Sequence, residues 1–222
     1  MRRPPAVAVM ARVPGAAPVK SRLHAALTPA RATDLYRCFL LDRLEALAAL
    51  DVVRPVVAFT PAHARAAMAA LVPPPVPLLA QEGEDLSARL TGVFARLFDD
   101  GHVAAIALDS DSPTLPMAYV SEAARVLLAE QADVVIGPAD DGGYYLIGVR
   151  RRQPGLFDGI PWSTCETRAA TLARARDLGL GVRLLPPWFD VDTPDDLRRL
   201  RAGVAGCDTA PRTAAFLRTL AC

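Results

Sequence analysis

Short, unbroken apolar runs limit what this chain can become. The run at 103–108 reads Val-Ala-Ala-Ile-Ala-Leu, and 6–10 reads Ala-Val-Ala-Val-Met. Neither shows a helical period, and each is too short for a core helix, so both predict strands buried on two faces. Similar runs lie at 52–59, 76–79, 134–136, 144–149 and 181–185. Between them the period changes. Leu35, Phe39, Leu40, Leu44 and Leu47 follow Thr28-Pro29 at helical spacing, with Thr28 as a candidate N-cap and Pro29 at the first helical position. Further helices are expected at 61–71, 85–98, 117–130, 164–178, from Pro194 behind Thr193, and at 213–220. Pro73-Pro74-Pro75 reads as a stiff connector, not a domain boundary, because a strand-like run follows at once. Strands that alternate with helices predict a mostly parallel sheet covered on both faces. Asp140-Asp141-Gly142-Gly143 is a strong turn signal, so 144–149 is expected to run back beside 134–136 and make the sheet mixed. The expectation is one three-layer α/β/α domain over 1–204, with a tail helix in 205–222 packed on it.

Composition narrows the partners. The 222 residues are 52% hydrophobic, enough for a sizeable core. Twenty-five basic residues against 24 acidic leave a formal charge of +1, so no global field draws in nucleic acid or an anionic membrane, and any phosphate site must be local. Cys38, Cys165, Cys207 and Cys222 have no CxxC spacing and read as reduced thiols. The apolar stretch after Met1-Arg2-Arg3 is too short for a signal peptide and stops at Arg12. The location expected is cytoplasmic and the assembly a monomer or homodimer.

In open α/β sheets ligands bind at the carboxyl ends of strands, which directs attention to four loops. The first, after 6–10, carries Arg12, Lys20 and Arg22. Read as extended chain, it lets Lys20 and Arg22 point the same way toward a polyphosphate. It lacks the GxxxxGK[ST] spacing of a P-loop, and a bare KxR is more often a solvated pair of loop cations. The second is Asp109-Ser110-Asp111-Ser112-Pro113-Thr114. Ser112 or Thr114 could cap a helix, but capping does not explain two carboxylates directly after a buried strand. Oxygen ligands there suit Mg²⁺ or Mn²⁺, which bind through one or two carboxylates plus substrate phosphates. In the third, Asp190 and Asp192 alternate on extended chain and share a face, so one of them could reach the Asp111 loop; Asp195 and Asp196 suit a helix first turn. In the fourth, Gly142 and Gly143 permit close approach of a ligand, although for this segment alone a plain hairpin turn is the better explanation. Gln81 to Leu86 lies in a strand-to-helix loop that could border a nucleotide base and could equally be a polar cap. Trp162-Ser163-Thr164 reads as a buried indole followed by a cap. His24, His63 and His102 lack metal spacing and read as surface residues.

Taken in order, these segments resemble the CofC-like transferases of the glycosyltransferase-A superfamily. The chain is similar to the 2-phospho-lactate guanylyltransferases and, more distantly, to the molybdenum-cofactor guanylyltransferases. The matching pieces are Pro18-Val19-Lys20-Ser21-Arg22-Leu23 with Leu27-Thr28-Pro29, Asp111-Ser112-Pro113-Thr114-Leu115, Asp141-Gly142-Gly143-Tyr144-Tyr145-Leu146, Pro161-Trp162-Ser163-Thr164, and the run from Asp190 to Leu197. They span about residues 6–200. The resemblance implies a Rossmann-like glycosyltransferase-A fold and a Mg²⁺- or Mn²⁺-dependent nucleotidylyltransferase. Such an enzyme moves a nucleoside monophosphate from a nucleoside triphosphate to a small phosphorylated acceptor. Lys20, Arg22 and Asp111 would be catalytic, with Arg12, Gln81 and Asp85 completing the nucleotide site. Asp111 and Asp192 would hold the metal. Asp141, Gly142, Gly143, Tyr144 and Ser163 would line the acceptor pocket. The resemblance also implies a small residue at position 109. Asp109 departs from that and creates a literal Asp-x-Asp, which adds it to the metal set and favours an alternative, glycosyl transfer from a nucleotide-diphospho-sugar. A non-catalytic nucleotide-binding protein is the third reading, opposed by the presence of Lys20, Arg22, Asp111 and Asp192 together.

Overall fold

The computed structural model describes residues 3–204 and 210–220. Seven strands form one sheet: β1 (Ala6–Arg12), β2 (Arg54–Thr60), β3 (Leu78–Ala80), β4 (Ala105–Leu108), β5 (Val134–Pro138), β6 (Tyr144–Val149) and β7 (Val182–Leu184). Their spatial order is β3-β2-β1-β4-β6-β5-β7. Every neighbouring pair is parallel except those made by β6, which runs antiparallel to both β4 and β5. The sheet is therefore mixed and mostly parallel, and the Asp140–Gly143 turn makes the hairpin expected of it.

The helices are α1 (Pro29–Ala48), α2 (Arg65–Leu71), α3 (Leu86–Asp99), α4 (Met117–Leu128), α5 (Thr167–Asp177), α6 (Pro194–Gly203) and α7 (Pro211–Arg218). The Thr28 side chain accepts from Arg31 N, and Thr193 forms a reciprocal capping box with Asp196, so both sequence-level caps are present. Ser112 and Thr114 cap nothing: α4 starts behind Pro116 without a side-chain cap. The helix expected over 61–71 is divided, with one 3₁₀ turn at Ala62–Ala64 before α2. A second 3₁₀ turn, Ser21–Ala25, interrupts what read as loop.

Alternation along the strands builds two cores. On β1, Val7, Val9 and Ala11 face one side while Ala6 and Ala8 face the other; on β4, Ile106 and Leu108 oppose Ala105 and Ala107. The second face carries small residues on these central strands, which lets α3 approach with Leu90, Val93, Phe94 and Leu97, an i, i+3, i+4, i+7 stripe. A third cluster joins α1, α6 and α7 through Leu35, Phe39, Leu200 and Leu217. Across it, Asp42 on α1 accepts from the main-chain N–H groups of Arg212 and Thr213 at the start of α7.

Two smaller expectations need correction. His102 is half-buried, not a surface residue, because its Nδ1 lies 2.6 Å from the Pro4 carbonyl oxygen; His24 and His63 are exposed. Cys38 and Cys165 are free thiols, while Cys207, Cys222 and the link at 205–209 lie outside the described residues. Among the described residues no helix is long and apolar enough to cross a membrane.

Candidate functional site

The carboxyl ends of β1 and β4 are held together by one side chain from α1, Tyr36, and one from the loop after β4, Ser110. The Arg12 main-chain N–H donates to the Tyr36 hydroxyl at 3.0 Å, the Tyr36 hydroxyl meets Ser110 Oγ at 2.9 Å, and Ser110 Oγ donates to the Met10 carbonyl at 3.1 Å. Since Ser110 gives its proton to Met10, the bond between the hydroxyls runs from Tyr36 to Ser110. The chain works only with a neutral phenol. Burial and the nearby Asp111 charge secure that by pushing the Tyr36 pKa up to about 12.

Lys20 sits at the centre. Its Nζ lies 2.8 Å from Asp111 Oδ1 and 2.7 Å from Asp192 Oδ1, and its side chain is 3% exposed. Burial opposes its charge, but the two carboxylates override that and raise its pKa. Burial likewise opposes ionisation of Asp192, and Lys20 with Arg22 more than offsets it, holding the carboxyl below its usual range. The extended-chain reading of 20–22 is corrected here. Lys20 has φ +52 in the left-handed region, and the 3₁₀ turn follows immediately. The cations therefore separate: Lys20 is buried under the carboxylates, while Arg22 stays exposed with a guanidinium nitrogen 3.8 Å from Asp192 Oδ2. The two acidic loops are also joined by main chain, Val191 N donating to the Asp111 carbonyl at 2.9 Å. Val191 is fully buried between half-buried Asp190 and Asp192, so the alternation that puts both aspartates on one face is real.

Two clefts meet at Asp111. The larger, about 570 Å³, is lined by Arg12, Lys20, Arg22, Gln81, Asp85 and Asp192 among others, including Arg89 and Glu84. Asp85 also caps α3 by accepting from Ala88 N. The smaller, about 200 Å³, is lined by Asp109, Asp141, Gly143, Tyr144 and Asp190. Leu86, Asp111, Trp162 and Ser163 border both. The Trp162 indole is held by Nε1–H donating to Ser87 Oγ at 2.7 Å, and it stands edge-on to Tyr144. Ser163, with φ +61, extends between the clefts.

Asp109 belongs to the smaller cleft, not to the Lys20 cluster. One of its oxygens accepts from Ser112 Oγ, while Oδ1 is buried and, among the described residues, has no hydrogen-bond partner. Burial pushes its pKa up to about 7, with buried Arg43 opposing and Asp111 adding to the rise. Asp190 is raised to about 6, first by burial and then by Asp192 and Asp141. Gly142 does not reach the cleft. It has φ +93, and a Cβ there would lie 2.3 Å from the Cys165 carbonyl oxygen, so this glycine lets the hairpin turn pack on the loop that carries Ser163. Asp141 accepts from Gly143 N and shapes the same turn. Sequence reasoning missed the roles of Tyr36 and Ser110; residue spacing alone left open which of Asp190 and Asp192 meets the Asp111 loop, and the family resemblance named Asp192. Asp192 does so through Lys20, while Asp190 walls the second cleft.

The donor set fits a hard divalent ion. Asp111 and Asp192 already place one oxygen each on a shared cation, the Lys20 ammonium, and keep side-chain exposures of 34% and 36%. Two carboxylates open to a cleft suit Mg²⁺ or Mn²⁺, which complete their shell with water and substrate phosphates. Among the described residues no group of three or more His, Cys, Asp or Glu forms a fuller cage.

Solved structures share the fold. A candidate nucleotide-diphospho-sugar transferase from Desulfovibrio desulfuricans matches with a TM-score of 0.90 and 34% identity over 97% of this chain and 94% of its own. CMP:2-keto-3-deoxy-manno-octonic acid synthetase complexed with CTP matches at TM-score 0.59 and 15% identity, over 92% of this chain and 99% of its own. Rv0371c from Mycobacterium tuberculosis in complex with manganese matches at 0.51 and 16%, over 90% and 98%. The architecture is thus that of nucleotidyltransferases and nucleotide-sugar transferases. No curated protein sequence matches the chain. Residues 43–164 match the model of the DUF2064 family, described as uncharacterized proteins conserved in bacteria, and the chain belongs to that family.

Proposed function

We propose that the chain is a divalent-metal-assisted nucleotidylyltransferase. The observation that carries the reading is the convergence of Asp111 and Asp192 on Lys20 at the junction of two clefts. The larger cleft has room and cations for a nucleoside triphosphate, and the smaller holds an acceptor against its α-phosphate. An acceptor oxygen attacks the α-phosphorus, the bond to the bridging β-oxygen breaks, and pyrophosphate leaves. Lys20 and Arg22 neutralise the leaving charge, and Asp111 and Asp192 would hold a divalent metal. When bound, the metal supplies charge stabilisation across the reacting phosphates. An acceptor that is already an anionic phosphate, as the 2-phospho-lactate guanylyltransferase resemblance implies, needs no general base, so positioning and electrostatics carry the step. The CTP complex of one structural neighbour and the manganese complex of another support the kind of ligands.

Glycosyl transfer from a nucleotide-sugar is the second reading, and the smaller cleft favours it. Asp109, Asp141 and Asp190 stand there without a Lys or Arg among the lining residues, and a hydroxyl acceptor needs a base. Incubation with Mg²⁺ or Mn²⁺, each nucleoside triphosphate and phosphorylated acceptors, with pyrophosphate as readout, separates the two. Pyrophosphate release that depends on both triphosphate and acceptor is expected. Thermal stabilisation by nucleotide-sugars with no pyrophosphate from any triphosphate would transfer the assignment to the second reading.

A further inference from the structure

The larger cleft crosses the sheet. Asp111 follows β4, Arg12 ends β1, Thr60 ends β2 and Gln81 follows β3, and all four line it in the spatial order of their strands. Neighbouring strands lie ~4.8 Å apart, so the cleft extends roughly 14 Å from Asp111 to Gln81. On the functional reading above, on which this inference rests, the phosphates occupy the Lys20 and Asp111 end. The base then reaches toward the β2–β3 end, where Gln81 forms part of the wall.

Gln81 is held in one orientation. It is 8% exposed, its main-chain N–H donates to the Phe59 carbonyl at 2.8 Å, and its side-chain Nε2 donates to the Ala58 carbonyl at 2.6 Å and the Ala11 carbonyl at 3.4 Å. Both side-chain partners are carbonyls, which only accept, so turning the amide over would set oxygen against oxygen. With both amide hydrogens on β1 and β2, Oε1 is aimed away from those strands. Among the described residues nothing donates to it.

We infer that Gln81 selects the base of the nucleotide by presenting a fixed hydrogen-bond acceptor, so that the site prefers a base with an exocyclic amino group. An amino group projects beyond the ring and reaches an acceptor in the wall. The ring N–H of uracil is flanked by two carbonyl oxygens, each of which another acceptor repels. Hypoxanthine presents a carbonyl where adenine has its amino group and lacks the amino group that guanine carries.

Titration calorimetry of the full chain with Mg²⁺ complexes of CTP, UTP, ATP, GTP and ITP tests this. The tightest binder is expected to carry an amino group and to exceed its deaminated counterpart (UTP for CTP, ITP for ATP or GTP) by at least about tenfold, the scale of one good hydrogen bond against an unpaired acceptor. Gln81→Met should reduce that ratio to about twofold, chiefly by weakening the amino-bearing nucleotide. UTP or ITP binding as tightly as its aminated counterpart overturns the inference and leaves the nucleotidyltransferase reading standing, as does a Gln81→Met chain that keeps the full preference. Binding of none of the five removes both. The wild-type comparison decides even where the variant fails to fold.

Discussion

The two clefts share Asp111, Trp162 and Ser163, yet their chemistry diverges on either side of that border. The larger mixes cations with carboxylates: Arg12, Lys20, Arg22 and Arg89 face Glu84, Asp85, Asp111 and Asp192. The smaller has Asp109, Asp111, Asp141 and Asp190 and no basic lining residue. A mixed lining can hold a phosphate chain together with a metal, each charge finding its opposite. An acidic lining repels an anion unless a cation comes with it. One aspartate thus belongs to two electrostatic regimes, and a reaction that joins a nucleotide to a second molecule would occur at that border.

The comparison can be broken most severely at the shared residue. Asp111→Asn should lower turnover by about 10³-fold or more, because charge stabilisation at the reacting phosphates is lost. The measurement is pyrophosphate release beside circular dichroism, and a folded variant with full activity removes the metal assignment. Next comes Lys20→Met, which leaves Asp111 and Asp192 without their common cation. We expect about a 10²-fold fall in kcat, together with tighter Mn²⁺ binding in the absence of nucleotide, read by paramagnetic relaxation. An unchanged kcat would confine Lys20 to folding.

Asp190→Asn sharpens the contrast. It removes charge from the smaller cleft only, so steady-state kinetics should show the acceptor KM changing by about tenfold while the nucleotide KM stays within twofold. Equal effects on both would mean that the clefts are not separate sites. The Asp109 carboxyl gives a pH signature. Its folded pKa, about 7, exceeds the unfolded value, so the protonated carboxyl favours the folded state. That contribution is complete below the unfolded pKa and is lost as pH rises through about 7. Thermal melts from pH 4 to pH 8 should therefore show a decline over that window that Asp109→Asn flattens. The smallest effect is expected at Tyr36→Phe, which breaks both the bond from the Arg12 N–H and the bond to Ser110 and should cost about 2 kcal/mol and roughly 4–8 °C in Tm.

Much of the architecture was legible because burial on two faces leaves its trace in residue order. The runs at 6–10 and 144–149 became β1 and β6, and Thr28 and Thr193 capped their helices as their positions implied. The carboxylates of the two acidic loops were legible for a similar reason, since Asp111 and Asp192 are explained poorly by packing or capping. Three features were not. Lys20 adopts positive φ without being Gly, Asn or Asp, so nothing local announced that it would turn inward. Tyr36 lies in the middle of α1 beside Leu35 and reads as core; its hydroxyl's partners are 24 and 74 residues away. The acidity of the smaller cleft is assembled from three separate loops, and no window of sequence contains it.

The main-chain bond from Val191 to Asp111 has a kinetic corollary. Because neither partner is a side chain, substitution at these positions, proline at 191 aside, leaves donor and acceptor in place, and the bond breaks only when the two loops part. Hydrogen exchange at the Val191 amide therefore clocks their joint opening. Bound nucleotide that holds Asp111 and Asp192 together would slow this single amide, giving a local record of occupancy that requires neither turnover nor knowledge of the acceptor.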